Sequence, residues 1–178
     1  MKVFVDTETS GLDPRHHSIL SVCLGNKDIG YKTFHIRPDP DNIIDPKAME
    51  VNKIDLDGLW EDQSIAFLEY LQTMFAEHGQ LEPIGHNYMF DIGFIQQVLG
   101  RRGYEKFFSR RYLDTMIIAK FIDEALLDRE GKVVHRGGYS LKSLCEEYDI
   151  ENEFAHTAEG DVRATETLYH KLVDYIKI

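Results

Sequence analysis

Four carboxylates and one histidine stand in three short segments of this chain. Asp6 and Glu8 lie in VDTETSGL, Asp91 in IGHNYMFD, and His156 and Asp161 in HTAEGDV. Oxygen-rich sets with few histidines suit Mg²⁺ or Mn²⁺ better than Zn²⁺. Four carboxylates are about what two such ions need, with water and a substrate phosphate completing the shells. Two metals roughly 3.5–4 Å apart stabilise the attacking and leaving oxygens of an in-line phosphoryl displacement. A histidine titrating near neutrality is a suitable base for the attacking water.

Each segment also has a plainer reading. Asp6 and Glu8 follow the apolar run Val3-Phe4-Val5. Residues two apart in an extended chain point to one side, so both carboxylates project together. The plain alternative is an acidic turn that ends the strand. Asp91 falls at the start of a helix, where an aspartate commonly serves the helix dipole or a cap. Asp161 is harder to dismiss. The last helix carries an apolar stripe at Ala158, Val162, Thr165, Leu168, Leu172 and Ile176, and Asp161 falls on it. A carboxylate facing a core needs a partner, either a metal or a buried cation. His156 precedes Asp161 by five residues, ~140° around a helix of ~3.6 residues per turn. The two converge only if His156 lies in the loop ahead of the helix. His16, His17, His35, His78 and His135 read as unpaired surface histidines.

The elements that must position these groups follow from periodicity. Residues 2–6 read as a buried central strand, and 18–25 and 30–37 as the next two strands with a turn at Asn26-Lys27-Asp28. Residues 38–45 form a Pro/Asp-rich loop. The segment 64–77 is helical, with Ile65, Phe67, Leu68, Leu71, Met74 and Phe75 spaced by three and four. A short strand, 84–86, precedes a helix over 90–99 that Gly100 and Gly103 stop. A helix over 114–125, a polar excursion over 128–138, a helix over 141–148 capped by Ser140, and the last helix over 157–176 complete the chain. Strands first, then strand–helix alternation, predict an α/β fold: a central mixed β-sheet flanked by helices.

Composition sets the frame. The chain has 178 residues, enough for one domain over 1–178, and is 43% hydrophobic and 29% charged. No apolar run approaches the ~20 residues that span a bilayer, and Val3-Phe4-Val5 is too short for a signal peptide. Cys23 and Cys145 sit in apolar segments and read as buried free thiols, which fits a cytoplasmic setting. The net charge of −11 argues against a non-specific nucleic-acid binder, but residues 101–142 carry +4 and the remainder −15. Besides a solvated face, that leaves room for a local phosphate-attracting surface.

The three segments, in this order, resemble the DnaQ-like (DEDDh) 3′→5′ exonucleases, whose fold is ribonuclease-H-like. The resemblance rests on Val5–Leu12, Gly85–Phe94 and His156–Thr165, with Leu113-Asp114-Thr115 and Tyr139–Cys145 as connecting segments. It covers nearly the whole chain and is most like the proofreading epsilon subunit of bacterial DNA polymerase III and its free-standing relatives. It implies that Asp6 bridges two divalent metals, Mg²⁺ or Mn²⁺. Glu8 and Asp161 would complete the nucleophile-side ion, Asp91 would act through water on the other, and His156 would be the general base. Leu12 matches the position that wedges beside the terminal base. Thr9, His86, Asn87 and Phe90 match positions near the terminal nucleotide. The implied partner is a single-stranded nucleic-acid 3′ end, with a separate polymerase subunit if the role is proofreading, and no membrane.

Two departures stand out. Tyr88 is bulkier than the alanine often found there, which predicts a reshaped pocket around Asn87. Ser10 replaces a usual threonine. The excursion over 128–138 is not obviously shared. An RNA-directed exoribonuclease, of the oligoribonuclease or ribonuclease-T kind, has the same motifs. A non-catalytic end-binding module would have lost at least one of the five residues, and none is lost.

Overall fold

The computed structural model describes residues 1–56, 61–131, 133–135 and 137–176, leaving aside the side chains of 128–130. Lys132 and Arg136, and the side chains of Asp128, Arg129 and Glu130, all counted in the basic stretch, lie outside the described residues.

Among the described residues the sheet has five strands: β1 (Lys2–Thr9), β2 (Ile19–Asn26), β3 (Gly30–His35), β4 (Glu82–Gly85) and β5 (Leu113–Asp114). Their order is β3-β2-β1-β4-β5. The first three pair antiparallel, and β4 and β5 run parallel to β1. The helices are α1 (Pro46–Asn52), α2 (Ser64–His78), α3 (Met89–Phe107), α4 (Thr115–Glu130), α5 (Leu141–Glu147) and α6 (Ala158–Ile176).

Period-two alternation in β1 decides what faces what. Val3 and Val5 pack into the core shared with Phe67 and Leu71 of α2 and Phe94 and Ile95 of α3. Phe4 points to the other face, onto Ala158 and Val162 of α6. Asp6 and Glu8 continue the Phe4 side of the strand, so the sheet delivers both carboxylates toward α6. A third cluster joins α4, α5 and α6 through Ala119, Ile122, Leu144, Leu168 and Leu172.

Several boundaries differ from the sequence reading. β1 runs on to Thr9, because pairing with β2 continues through Glu8↔Ser21. Helix α1 follows the expected loop in a stretch to which periodicity assigns no element, although Asp45 caps it by accepting from the Lys47 amide and Pro46 begins it. Gly100 adopts φ 67° and ψ 160°, which breaks the helical path, yet helix resumes to Phe107 because Tyr104 and Phe107 bury against the core. Helix α4 runs to Glu130 rather than 125 and ends on left-handed Gly131.

Candidate active site

The site forms at the C-terminal end of β1, where α6 approaches from one face and α3 from the other. One carboxylate oxygen from each of Asp6, Glu8 and Asp161 lies within 4.8 Å of the others. Asp161 is held at the start of α6, its Oδ1 accepting from Asn152 Nδ2 at 2.7 Å and its amide donating to the Thr157 carbonyl. Asp91 comes from α3 on the opposite face. It is buried, and its Oδ1 accepts from the Thr7 hydroxyl at 2.7 Å. Thr7 lies on β1 between Asp6 and Glu8, so one strand serves both approaches.

The electrostatics follow from this crowding. Burial and then the charges of Asp91, Glu8 and Asp161 hold the Asp6 carboxyl well above its ordinary range. Burial, then Asp161 and Asp91, push Glu8 up to about 8. Burial raises Asp91 to about 7 against the opposing hydrogen bond from Thr7. Burial also raises Asp161, opposed by Asn152 and His156. Among the described residues, no lysine or arginine offsets the charge at any of the four. Like charges drawn together without a cation are costly, and a divalent cation is the partner that this oxygen-only donor set fits.

His156 lies in the loop ahead of α6, as the five-residue spacing to Asp161 requires. It is exposed and adopts φ 65°. The loop is drawn tight: the Thr157 hydroxyl donates to the Phe154 carbonyl at 2.8 Å, and the Gly160 amide donates to the Thr157 hydroxyl at 3.1 Å. Only glycine fits at Gly160, because a Cβ there would overlap the Phe154 carbonyl. His156 and Glu8 line one groove of about 700 Å³, with Asn52, Ile54, Phe154 and Arg163.

The residues expected near a terminal nucleotide divide into two groups. Leu12 is 79% exposed at the tip of the loop after β1. Asn87 is exposed in a left-handed conformation, φ 59°, and Phe90 is half-buried against Phe94. Thr9 and His86 are already engaged inside the protein. The buried Thr9 hydroxyl donates to the Gly11 carbonyl at 2.7 Å. His86 Nε2 lies 3.0 Å from the Tyr139 carbonyl and Nδ1 2.9 Å from the Thr115 hydroxyl.

Other expectations need correction. Tyr88 does not reshape the space around Asn87. It is fully buried, with its hydroxyl 3.2 Å from that of Tyr104, and Gly85 leaves room for its ring. His135 is no surface histidine: it is 3% exposed, beside Asp123 and Tyr148. His17 is half-buried, its Nδ1 3.0 Å from the Asp13 carbonyl. Part of the basic stretch lies away from this end of the sheet, although Lys120 lies over the Tyr139 ring. Arg101 pairs with Glu105, Lys106 lies over the Phe75 and Phe107 rings, and Arg110 and Arg111 precede β5, opposite the site.

Sequence reasoning missed Thr7, Asn152, Asn52 and Asp114 as supports. Asn52 donates to the Thr9 carbonyl at 3.1 Å, and Asp114 accepts from the amides of Asn87 and Tyr88 at 3.1 and 2.9 Å. Thr7 carried a readable signal, since it sits between two carboxylates on the opposite face of the strand. The two asparagines carried none, because their contacts cross the chain.

The chain is 30% identical over 175 residues to a PolC-type DNA polymerase III of Oceanobacillus iheyensis, covering 96% of this chain and 11% of that protein. It is 28% identical over 164 residues to the DNA polymerase III epsilon subunit of Salmonella typhimurium, covering 85% of this chain and 61% of that one. The chain thus spans a tenth and about three-fifths of these two relatives. Exonuclease I of E. coli, solved with a dT13 oligonucleotide, superposes with a TM-score of 0.70 at 20% identity, over 98% of this chain and 42% of that one. That likeness shows the shared ribonuclease-H-like fold. The model of the RNase_T exonuclease family matches residues 3–169, so the chain belongs to that family.

Proposed function

We propose that this chain is a divalent-metal-dependent 3′→5′ exonuclease acting on single-stranded or frayed 3′ ends of DNA. The carrying observation is the convergence of Asp6, Glu8 and Asp161 within 4.8 Å of one another, beside a histidine that shares a groove with Glu8. Asp6, Glu8, Asp91 and Asp161 would hold two ions, Mg²⁺ or Mn²⁺. Bound there, the ions would polarise the scissile phosphate and lower the pKa of the attacking water.

The protein's own groups supply the rest. His156 is solvent-accessible and takes the proton of the attacking water at a ring nitrogen. Leu12 and Phe90 offer apolar surface to an unstacked terminal base, which favours a melted end over a paired one. Asn87 presents a polar side chain to the same nucleotide. Thr9 and His86 act from behind this surface, holding the loops that carry Leu12 and Asn87.

The polymerase III relatives support a place in replication or repair with a separate polymerase subunit as partner. The whole of 1–178 is taken as one exonuclease domain. Among the described residues, no helix is long and apolar enough to cross a membrane. Cys23 and Cys145 are free and buried, in keeping with a reducing cytoplasm.

The test offers labelled DNA and RNA oligonucleotides, each blocked in turn at its 5′ or 3′ end, with Mg²⁺ present. Stepwise shortening of DNA from the free 3′ end is expected. Faster shortening of RNA would assign the RNA-directed activity instead. Binding without shortening would leave an end-binding module.

A further inference from the structure

The excursion between α4 and α5 has no assigned part in the site, yet Val134 and His135 within it are built into a buried polar cluster. We infer that Val134 and His135 of this excursion, with Tyr139 just after it, form a positioning element latched by Asp123, in which Tyr139 holds the Asn87 loop through His86. The inference rests on the exonuclease reading for its kinetic consequence.

Asp123 lies on α4 and is 3% exposed. Its Oδ1 accepts from the Val134 amide at 2.8 Å, and both oxygens lie 3.2 Å from the His135 amide. Its Oδ2 accepts from the Tyr139 hydroxyl at 3.0 Å. The His135 ring is also buried, with Nδ1 3.1 Å from Asp123 Oδ1, though not aligned as a hydrogen bond, and Nε2 2.8 Å from the Tyr148 hydroxyl. One carboxylate therefore gathers Val134 and His135 of the excursion and Tyr139 just after it. A polar connection of this length costs closure entropy, and a chain needing only to link two helices has no use for a buried carboxylate.

The cluster reaches the site through Tyr139. A carbonyl can only accept, so the Tyr139 oxygen requires the proton of His86 on Nε2. Nδ1 lies 2.9 Å from the Thr115 hydroxyl, which also donates to the Gly85 carbonyl at 3.2 Å. Burial lowers the His86 pKa, against Asp114 and the Tyr139 carbonyl. The next residue, Asn87, is left-handed, a conformation that persists where the surroundings hold it. Asp114 holds the Asn87 and Tyr88 amides, and Tyr139 holds His86. Asp123 and Tyr139 are thus positioning residues for the surface that meets the terminal nucleotide.

The test compares Tyr139→Phe and Asp123→Asn with the wild-type chain, alone and combined with His86→Ala. Steady-state cleavage of a single-stranded DNA oligonucleotide with Mg²⁺ is measured. For Tyr139→Phe, KM is expected to rise about 5-fold, the share of one hydrogen bond, with kcat per folded molecule unchanged. In the His86→Ala background the KM effect should vanish, because the path runs through His86. An unchanged KM, or an equal effect in both backgrounds, overturns the inference. If Asp123→Asn does not fold, Tyr139→Phe, which loses one phenolic oxygen, carries the test alone. Hydrogen exchange at the Asn87 and Tyr88 amides reads the latch without turnover: faster exchange in Tyr139→Phe is expected, and unchanged exchange overturns it. A wild-type chain inactive on every oligonucleotide would sink the proposed function, whereas an active one with additive effects would sink only the latch.

Discussion

At Asp6 the chain gathers carboxylates; at Asp123 it gathers donors. Both aspartates face the interior of the fold, but their acidities move in opposite directions. Burial and neighbouring acids hold Asp6 well above the ordinary carboxylate range. At Asp123 burial acts upward too, but the Val134 and His135 amides and the Tyr139 hydroxyl outweigh it and leave the group below that range. The Asp123 carboxylate finds its donors within the fold. The crowded one lacks such donors at Asp6 and is relieved of repulsion when something positive joins it. A scaffold site and a working site are thus separable by whether the protein supplies its own counter-charge.

The sharpest way to break this comparison is to neutralise each aspartate. Asp6→Asn is expected to lower the cleavage rate by at least about 10³-fold, since a shared metal ligand is lost. Its metal-free melting temperature should hold or rise, because repulsion is relieved. Asp123→Ala should do the reverse to stability, costing about 3 kcal/mol by stranding buried donors. Equal destabilisation by the two substitutions would erase the distinction.

His156→Ala comes next, with an expected loss of about 10²–10⁴-fold in rate. Calorimetric Mn²⁺ affinity should stay near wild type, because His156 is assigned to the water. A parallel loss of metal binding would make it a ligand.

A smaller effect concerns pH. Glu8 moves from 4.5 to about 8, and Asp91 from 3.8 to about 7. Across those windows the folded state holds protons that the unfolded chain has released. Stability without metal is therefore present at low pH and lost as pH rises toward about 8. A fall in melting temperature on the order of 5 °C between pH 5 and 8 is expected, with saturating Mg²⁺ flattening it. A metal-free protein that gains stability over that range would contradict the crowded site.

The crowded cluster was also the more legible of the two in the sequence. Asp6 and Glu8 follow a short apolar run at a spacing of two, and Asp161 interrupts an apolar stripe, so local periodicity exposes all three. Asp91 looked like a helix-start residue when taken alone. Its hydrogen bond to Thr7, across the sheet, and its charge on Asp6 place it beside the cluster. The Asp123 cluster was opaque because its members are polar and lie in a segment without periodicity. His135 reads as surface until the chain folds back onto α4. Tyr88 was misjudged for a related reason: side-chain size is visible in a sequence, and direction at a left-handed turn is not. Helix α1 could have been read from Asp45-Pro46, a cap followed by a helix-starting proline.

The most direct test of the central claim is a titration of Mn²⁺ into the metal-free protein at pH 7, repeated in two buffers of different ionisation enthalpy. Glu8 at about 8 and Asp91 at about 7 keep protons that a bound cation must displace. The account expects saturable binding with release of about one proton or more per chain, abolished in Asp6→Asn. Absence of binding, or binding that releases no protons and survives Asp6→Asn, would contradict it.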